Sequence, residues 1–276
     1  MLRLGRIAYV NMAPVFHRLD AEVEEVTGVP TDLNRRLVAG EIDLAPISSI
    51  EYARNATRLR ILSRLCVSSE GTVDSIQVVS RLPLSRIRTI AITPESATSV
   101  VLTRILLPDA EHVPFDEPAE ARLLIGDAAL ESVFNDPTPH YDLGKLWRDR
   151  TGLPMVYAVF ACPDPPPAGV DELEDALLES HLIARAEPEV LAREASARYG
   201  YPPGFLARYF EKLRYSFGPR ERAGLLAFFE LLAGSGRFVT YPGISYPVGA
   251  EGPLAALTFL LCGFVTWRRG GRGVRR

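Results

Sequence analysis

Residues able to form a redox or metal centre are few in this sequence. The 276 residues include three cysteines, Cys66, Cys162 and Cys262, which are odd in number and far apart. They fit neither a disulfide framework nor the spacing of paired metal ligands. The four histidines are scattered and are not paired with cysteine or carboxylate at ligand spacing. We therefore expect a protein without a metal, in a reducing compartment such as the cytoplasm.

Excess basic charge and long apolar runs are also missing. The net charge is −3, and no basic face is prominent over residues 1–250, which argues against nucleic acid as a partner. The apolar segment 254–265 is shorter than the roughly 20 residues that span a bilayer. We expect no integral membrane segment and interpret 254–265 as an accessory helix. It precedes five arginines in residues 268–276, interpreted as a solvated tail, with a membrane-surface or anion-binding arm as the alternative.

Several signatures of catalysis and targeting are absent as well. The sequence has no G-x-S-x-G elbow, H-E-x-x-H pair, P-loop or G-x-G-x-x-G turn, so a tightly held nucleotide is not expected. The apolar start of the chain is interrupted by Asn11 and Pro14, and no small-residue cleavage site follows. No secretory signal peptide is therefore predicted. A small molecule becomes the expected partner.

What the sequence does contain is a repeated unit of strand, polar turn and helix. Strand-like segments such as TIAIT and ARLLI are each followed by a helical pattern, which indicates mostly parallel sheet with helices on its faces. Residues 171–233 read as a series of helices. Because 276 residues exceed the usual size of one hydrophobic core, we expect two lobes, 1–83 with 166–276 and 84–165. Hinges are expected near 80–90 and 160–170.

Ligands of such sheets bind at the carboxyl ends of strands, where polar turns lead into helices. Three predicted helix starts carry hydroxyls, glycine or aspartate: Ser48 with Ser49, Ser96 to Ser99 including Thr98, and Gly126 with Asp127. Unpaired N–H groups at a helix start attract anions. Each start taken alone is more typical of ordinary capping, whereas three together favour a cleft for an organic anion. Asp127 would repel an anion, so capping suits it better.

Two further polar residues interrupt apolar surroundings. Asn11 ends the first strand in AYVNMAP, where it could tie the loop to the sheet or face a ligand. Ser75 precedes the strand-like segment SIQVVS, where a ligand contact competes with an ordinary loop serine. Both residues are candidates for the site.

Seven segments, taken in order, resemble the chorismate dehydratases of the futalosine route to menaquinone: RIAYVNMAP, GVPTDLNRRLVAGEIDLAPISSIEYARN, EGTVDS, ITPESATSV, RLLIGDAAL, YDLGKLWRDRTGLP and MVYAVFA. They extend over about residues 3–240. The resemblance implies an α/β fold like that of the two-lobed periplasmic binding proteins of the second type, with parallel and mixed sheets and an interdomain cleft. It also implies cofactor-free dehydration of chorismate to 3-[(1-carboxyvinyl)oxy]benzoate.

The resemblance also assigns site residues. It places the asparagine of an N-x-x-P motif at Asn11 and the serine of a D-G-P-V-x-S motif at Ser75, which we expect to be catalytic. The expected substrate-binding residues are Ser48, Ser49, Thr98, Ser99, Gly126 and Asp127. The chain departs from some relatives at Glu70, Thr72 and Phe160, where they have Asp, Pro and Trp, and this bears on the shape of the cleft.

The base is the open part of this interpretation. Since no motif offers a histidine, we expect a substrate carboxylate to take the proton, with Glu51 or Glu95 as the alternative. Two other functions remain: a cytoplasmic small-anion binding protein on the same fold, and the sister 1,4-dihydroxy-6-naphthoate synthase, which is expected to use a histidine. His140 and His181 lie outside the matching motifs. A two-lobed site further predicts closure around the substrate.

Overall fold

The computed structural model describes residues 1–234. The predicted accessory helix 254–265, the arginine-rich tail and Cys262 lie outside the described residues. Eleven strands occur in the described range: β1 (Leu2–Ile7), β2 (Val23–Gly28), β3 (Ala45–Ser48), β4 (Leu59–Ser69), β5 (Ile76–Val79), β6 (Thr89–Ile92), β7 (Glu111–Pro114), β8 (Ala121–Ile125), β9 (His140–Asp142), β10 (Met155–Pro163) and β11 (Leu213–Ser216).

Ten α-helices alternate with these strands and then follow them. They are α1 (Ala13–Phe16), α2 (Pro30–Val38), α3 (Ser49–Arg54), α4 (Ala97–Leu106), α5 (Gly126–Asn135), α6 (Leu143–Thr151), α7 (Val170–Ala186), α8 (Pro188–Tyr199), α9 (Pro203–Phe210) and α10 (Pro219–Gly234). Two short 3₁₀ turns, Val10–Met12 and Leu84–Arg86, complete the described part of the chain.

The strands form two main sheets. One has the order β11-β4-β10-β3, and β1 with β2 joins its edge through a bridge between Leu4 and Leu44. The other has the order β7-β6-β8-β5-β9. We call the first group with its helices the first lobe and the second group with α4, α5 and α6 the second lobe. The strand alternation suggested mostly parallel sheet, but five of the eight pairings in the described residues are antiparallel.

Local sequence explains where the elements begin and end. Pro30 opens α2, since its missing N–H would be unpaired in a first turn. Asp142 caps α6 by accepting the N–H of Lys145, and Gly152 ends that helix with φ +71°. β10 is buried over eight consecutive residues because it lies in the centre of its sheet with helices on both faces.

Sheet membership locates the two crossings between the lobes. The chain passes to the second lobe over residues 70–75 and returns over 152–154. The boundaries expected after residues 83 and 165 follow β5 and β10 rather than precede them. We therefore propose 1–75 with 154–234 and 76–153 as the lobes, in place of the boundaries expected from the sequence. No helix within residues 1–234 is both long and apolar enough to cross a membrane.

Candidate functional site

A cavity lies between the two lobes, at the ends of strands from both. It encloses about 560 Å³ of empty space, part of which is open to solvent. The lining residues are Ile7, Tyr9, Asn11, Pro30, Ser48, Val67, Val73, Ser75, Ile76, Ser96, Ser99, Ile125, Gly126, Tyr157, Ala158 and Leu213.

Within the described part of the chain, the lining contains hydroxyls, one carboxamide and two phenols but no charged side chain and no histidine. Recognition of an anion here would therefore depend on neutral donors and on helix starts. α4 begins beside Ser96, and α5 begins at Gly126. Both helices have ten residues, and the first turn of such a helix carries a partial positive charge.

Asn11 lies in the 3₁₀ turn Val10–Met12 that follows β1. Its side-chain oxygen, Oδ1, is buried without a hydrogen-bond partner. A buried carbonyl oxygen without a partner costs about 1–3 kcal/mol, so such an atom in a cavity wall suits an incoming donor. The backbone carbonyl of Asn11 is held separately, because it accepts the hydroxyl of Tyr215.

Ser75 lies in a tight turn between β4 and β5. Asp74, just before it, has φ +58°, a left-handed conformation that a non-glycine residue adopts only when its surroundings impose it. The carboxylate of Asp142 imposes it here by accepting the N–H groups of Val73 and Asp74 at 3.0 and 2.8 Å. The Ser75 hydroxyl makes a long bond of 3.4 Å to the carbonyl of Val73 and also interacts with the buried phenol of Tyr209.

Ser48 lines the cavity and is fixed by Asn34. The Asn34 carboxamide accepts the Ser48 N–H at 3.0 Å and donates to its hydroxyl at 3.1 Å. Ser49 is not in the lining, because its hydroxyl donates to the carbonyl of Val156 at 2.7 Å. The two adjacent serines therefore differ, one facing the cavity and the other joining α3 to β10.

The start of α4 shows a similar division. Ser96 caps the helix by accepting the Ser99 N–H, and the two hydroxyls bond at 2.9 Å. Both of these serines line the cavity. Thr98 does not, since its hydroxyl accepts the N–H of Ile50 at 3.3 Å and so caps α3 of the first lobe. Thr98 thus connects the lobes.

Gly126 and Asp127 open α5. Gly126 lines the cavity with φ +56°, and its N–H donates to the carbonyl of Ser75 at 2.8 Å. Asp127 is outside the lining, and its carboxylate accepts the N–H of Val10 at 3.0 Å. Burial raises the pKa of the Asp127 carboxyl, and the bond from Val10 offsets part of that rise. The predicted capping role therefore applies to the Asn11 turn rather than to α5 itself.

Two lining phenols were not selected from the sequence. Tyr9 packs its ring against Gly126 and donates its hydroxyl to Glu95 at 2.9 Å. Burial, reinforced by that carboxylate, raises the pKa of Tyr9. Tyr157 shares a 2.9 Å hydrogen bond with the hydroxyl of Ser69, and burial raises its pKa too. Tyr9 stands two residues from Asn11, which is the signal that could have identified it.

Among the described residues, neither the alternative bases nor the histidines are part of the cavity lining. Glu51 pairs with Arg54 at 3.2 Å and accepts from the Asn55 carboxamide, and it is not in the lining. Glu95 reaches the cavity only through the Tyr9 hydroxyl. His140 bonds to Ser132 in the second lobe. Within residues 1–234, no group of histidine, cysteine and carboxylate side chains could hold a metal ion.

Comparison with known proteins decides the family. A family model described as menaquinone biosynthesis matches residues 2–234. The chain is 34% identical to the chorismate dehydratase of Thermus thermophilus over 258 residues, which cover 83% of this chain and 94% of that protein. It is also 34% identical to the chorismate dehydratase of Campylobacter jejuni over 167 residues, 57% of this chain and 66% of that protein. The chain belongs to the chorismate dehydratase family.

Solved structures agree on the fold. A protein from Archaeoglobus fulgidus gives a TM-score of 0.73 at 22% identity, with 85% of this chain and 97% of that chain covered. The alkanesulfonate-binding protein of Xanthomonas axonopodis, bound to MOPS, gives 0.62 at 14% identity over 87% and 94%. The predicted fold of the periplasmic-binding-protein type is therefore confirmed for this member of the chorismate dehydratase family.

Proposed function

We propose that this protein converts chorismate to 3-[(1-carboxyvinyl)oxy]benzoate and water in the biosynthesis of menaquinone. The observation that carries the proposal is the 34% identity to a chorismate dehydratase over 94% of that protein's length. The cavity agrees with this activity, because it places an unpartnered carboxamide oxygen, Asn11 Oδ1, with the weakly bonded Ser75 hydroxyl. Such donors and acceptors can orient a hydroxyl that is to leave.

The substrate is a dianion, and the cavity offers neutral groups to receive it. The starts of α4 and α5 supply N–H groups with partial positive charge, and the hydroxyls of Ser48 and Ser99 can donate to carboxylates. Ser49, Thr98 and Asp127 would act one step removed, because their side chains bond to Val156, Ile50 and Val10. We assign these three the role of shaping the wall.

The reaction breaks two bonds on neighbouring ring carbons. The C–H bond at the carbon bearing the ether oxygen gives up its proton, its electron pair forms the new ring double bond, and the hydroxyl on the next carbon leaves. The proton and the hydroxide together make one water. Because the product ring is aromatic, the protein mainly holds geometry and directs the proton.

The base is assigned to a carboxylate of the substrate itself. Among residues 1–234, no charged residue and no histidine lines the cavity, which supports this assignment over Glu51 and over a histidine-dependent naphthoate synthase. Glu95 is the rival, since its carboxylate accepts the hydroxyl of the lining residue Tyr9. In this proposal Asn11 and Ser75 hold the substrate and its departing hydroxyl. The cytoplasm is the proposed compartment, and Cys66 and Cys162 are free thiols in keeping with it.

The test is incubation of the purified protein with chorismate, with the aromatic product followed by absorbance. We expect turnover by the wild type, a large fall in kcat for Asn11→Ala and Ser75→Ala, and little change for Ser180→Ala. The control removes a buried serine hydroxyl that accepts the N–H of Arg18, away from the cavity. Near-normal rates for both Asn11→Ala and Ser75→Ala would contradict the assigned roles.

Two further outcomes separate the alternatives. Loss of turnover with retained chorismate binding in Glu95→Gln would transfer the role of base to Glu95. Tight binding of chorismate by the wild type without any product would favour the small-anion binding protein.

A further inference from the structure

The turn that carries Asn11 cannot fix its own orientation. It is a single 3₁₀ turn of three residues, Val10–Met12, with no side-chain cap at its start. A turn of this length has too few internal bonds to be stable by itself. Its shape therefore depends on groups outside it, and two such groups contact it on either side of the Asn11 side chain.

One group is the carboxylate of Asp127, which accepts the N–H of Val10 at 3.0 Å. The other is the hydroxyl of Tyr215, which donates to the backbone carbonyl of Asn11. Val10 is fully buried and Tyr215 is 2% exposed, so water does not replace either bond. The peptide on each side of the Asn11 side chain is thereby held by a buried partner.

The two partners come from different lobes. Tyr215 lies on β11 of the first lobe, as the turn does, whereas Asp127 lies in the first turn of α5 in the second lobe. Tyr201 of the first lobe adds a second link by donating its hydroxyl to the Asp127 carbonyl at 3.1 Å. The bond from Val10 to Asp127 therefore exists only while the lobes are in contact.

A carboxylate at this place has a cost. It is mostly buried, and it lies beside a cavity for which we propose a doubly negative substrate. An acidic residue in the first turn of a helix is ordinarily favourable to its own helix. Here, however, the helix cap shows no side-chain bond, and the carboxylate points to the other lobe. Stabilisation of α5 therefore does not account for the position of the Asp127 carboxylate.

We propose that Asp127 is a positioning residue: by accepting the Val10 N–H across the cleft, it places the Asn11 carboxamide for reaction only when the lobes are closed. The proposal rests on the proposed dehydratase function. It makes the correct orientation of Asn11 a consequence of closure, so an open cleft would hold the substrate less productively. Tyr215 supports the same turn from the first lobe in both arrangements.

The role depends on a hydrogen-bond acceptor and not on charge, and this gives the test. Asp127→Asn keeps an acceptor oxygen of the same reach, whereas Asp127→Ala removes it and leaves the Val10 N–H unpaired. We expect Asp127→Ala to lower kcat by roughly 10- to 100-fold with KM within about threefold of the wild type. We expect Asp127→Asn to keep kcat within about threefold.

The matched control is Asp43→Ala. Asp43 also accepts a distant backbone N–H, that of Arg3 at 2.8 Å, but it lies outside the cavity lining. We expect Asp43→Ala to lower the melting temperature about as much as Asp127→Ala does but to leave kcat unchanged. This result would separate the positioning of Asn11 from a general loss of stability. If Asp127→Ala does not fold, Tyr215→Phe serves in its place, because it keeps the buried ring and removes only the bond to Asn11. We expect it to lower kcat with KM little changed.

Three results would overturn the proposal: unchanged kcat in Asp127→Ala, unchanged kcat in Tyr215→Phe when the alanine variant does not fold, or a loss in Asp127→Asn as large as in Asp127→Ala. Failure of the proposed function is distinguished by the wild type forming no product. In that case, hydrogen exchange of the backbone amides in residues 8–13 tests the positioning role of Asp127 without an activity assay. Exchange that is faster than in the wild type for Asp127→Ala but not for Asp127→Asn supports the positioning role of Asp127. Equal exchange in both variants and the wild type refutes that role.

Discussion

Replacing Gly126 with alanine is expected to disturb the contact between the lobes at one defined point. A Cβ atom on Gly126 would lie 2.6 Å from Cδ2 and 2.7 Å from Cε2 of the Tyr9 ring. These distances are far below van der Waals contact, and the ring cannot swing freely because its hydroxyl is bonded to Glu95. Gly126 also has φ +56°, where an L-residue is strained.

The expected loss has two parts. An L-residue in the left-handed region costs roughly 1–2 kcal/mol, and forcing an extra methyl into a packed contact costs about 1–3 kcal/mol. Gly152→Ala is the matched control, since Gly152 has φ +71° but no atom within 4 Å of the added Cβ. Gly152→Ala should therefore show only the cost of the left-handed backbone and not the cost of the clash. The free energy of unfolding should therefore fall by about 1–3 kcal/mol more in Gly126→Ala than in Gly152→Ala.

The assay is urea denaturation of both variants, each also made in a Tyr9→Ala background. Removing the ring removes the clash, so the difference between the two glycine positions should disappear there. Because the contact joins the lobes, separation of the lobes can relieve part of the clash, and kcat/KM for chorismate should then fall in Gly126→Ala. Equal unfolding free energies and equal kcat/KM for the two glycine variants would refute the arrangement of Tyr9 against Gly126.

Two other predictions concern the packing and charge of the first lobe. In α10, Gly224→Ala would place Cβ 2.0 Å from the carbonyl oxygen of Pro154, so it should destabilise the protein by roughly 1–3 kcal/mol, although alanine ordinarily favours a helix interior. Gly204→Ala, with 3.8 Å to the nearest atom, should show no such loss in thermal denaturation. The guanidinium of Arg3, by hydrogen bonding, holds the pKa of Asp43 below its ordinary 3.8, so the stabilisation from Asp43 is present above pH 3.8 and is lost as the pH falls through the lowered pKa. The difference in urea stability between wild type and Asp43→Asn should be large at pH 7 and should shrink below pH 3.8, and a constant difference would contradict this.

Much of the fold follows from short-range pattern. The alternation of strands with helices predicted β6 and β8, as TIAIT and ARLLI, with the helices after them, and the strand-like segment SIQVVS contains β5. The edge strands β7 and β9 were not predicted, because they are short and partly exposed and lack an apolar run. Strand direction was also beyond the pattern, since β10 pairs antiparallel to both neighbours after the chain returns from the second lobe.

The site was predictable to the extent that its residues lie in turns next to strands or at helix starts. Asn11, Ser48, Ser75, Ser99 and Gly126 all line the cavity, and their part in binding or catalysis stays a prediction.

The other three selected residues, Ser49, Thr98 and Asp127, have partners 107, 48 and 117 residues away. Nothing local in the sequence reveals such partners, and a bonded hydroxyl has the same sequence signature as a free one. Tyr9 and Tyr157 were missed for a related reason, because an aromatic residue at a strand end is usually part of a core.

The order of strands has a consequence for synthesis on the ribosome. Every strand of the second lobe's sheet lies within residues 76–142, whereas the first lobe's sheet draws strands from residues 45–216. The inserted lobe can therefore complete its backbone ladder while β10 and β11 have not yet left the exit tunnel. β4 has no neighbour to pair with until then. Of the two main sheets, the one within residues 76–142 should acquire protected amides first, and the cleft should be the last feature to take shape.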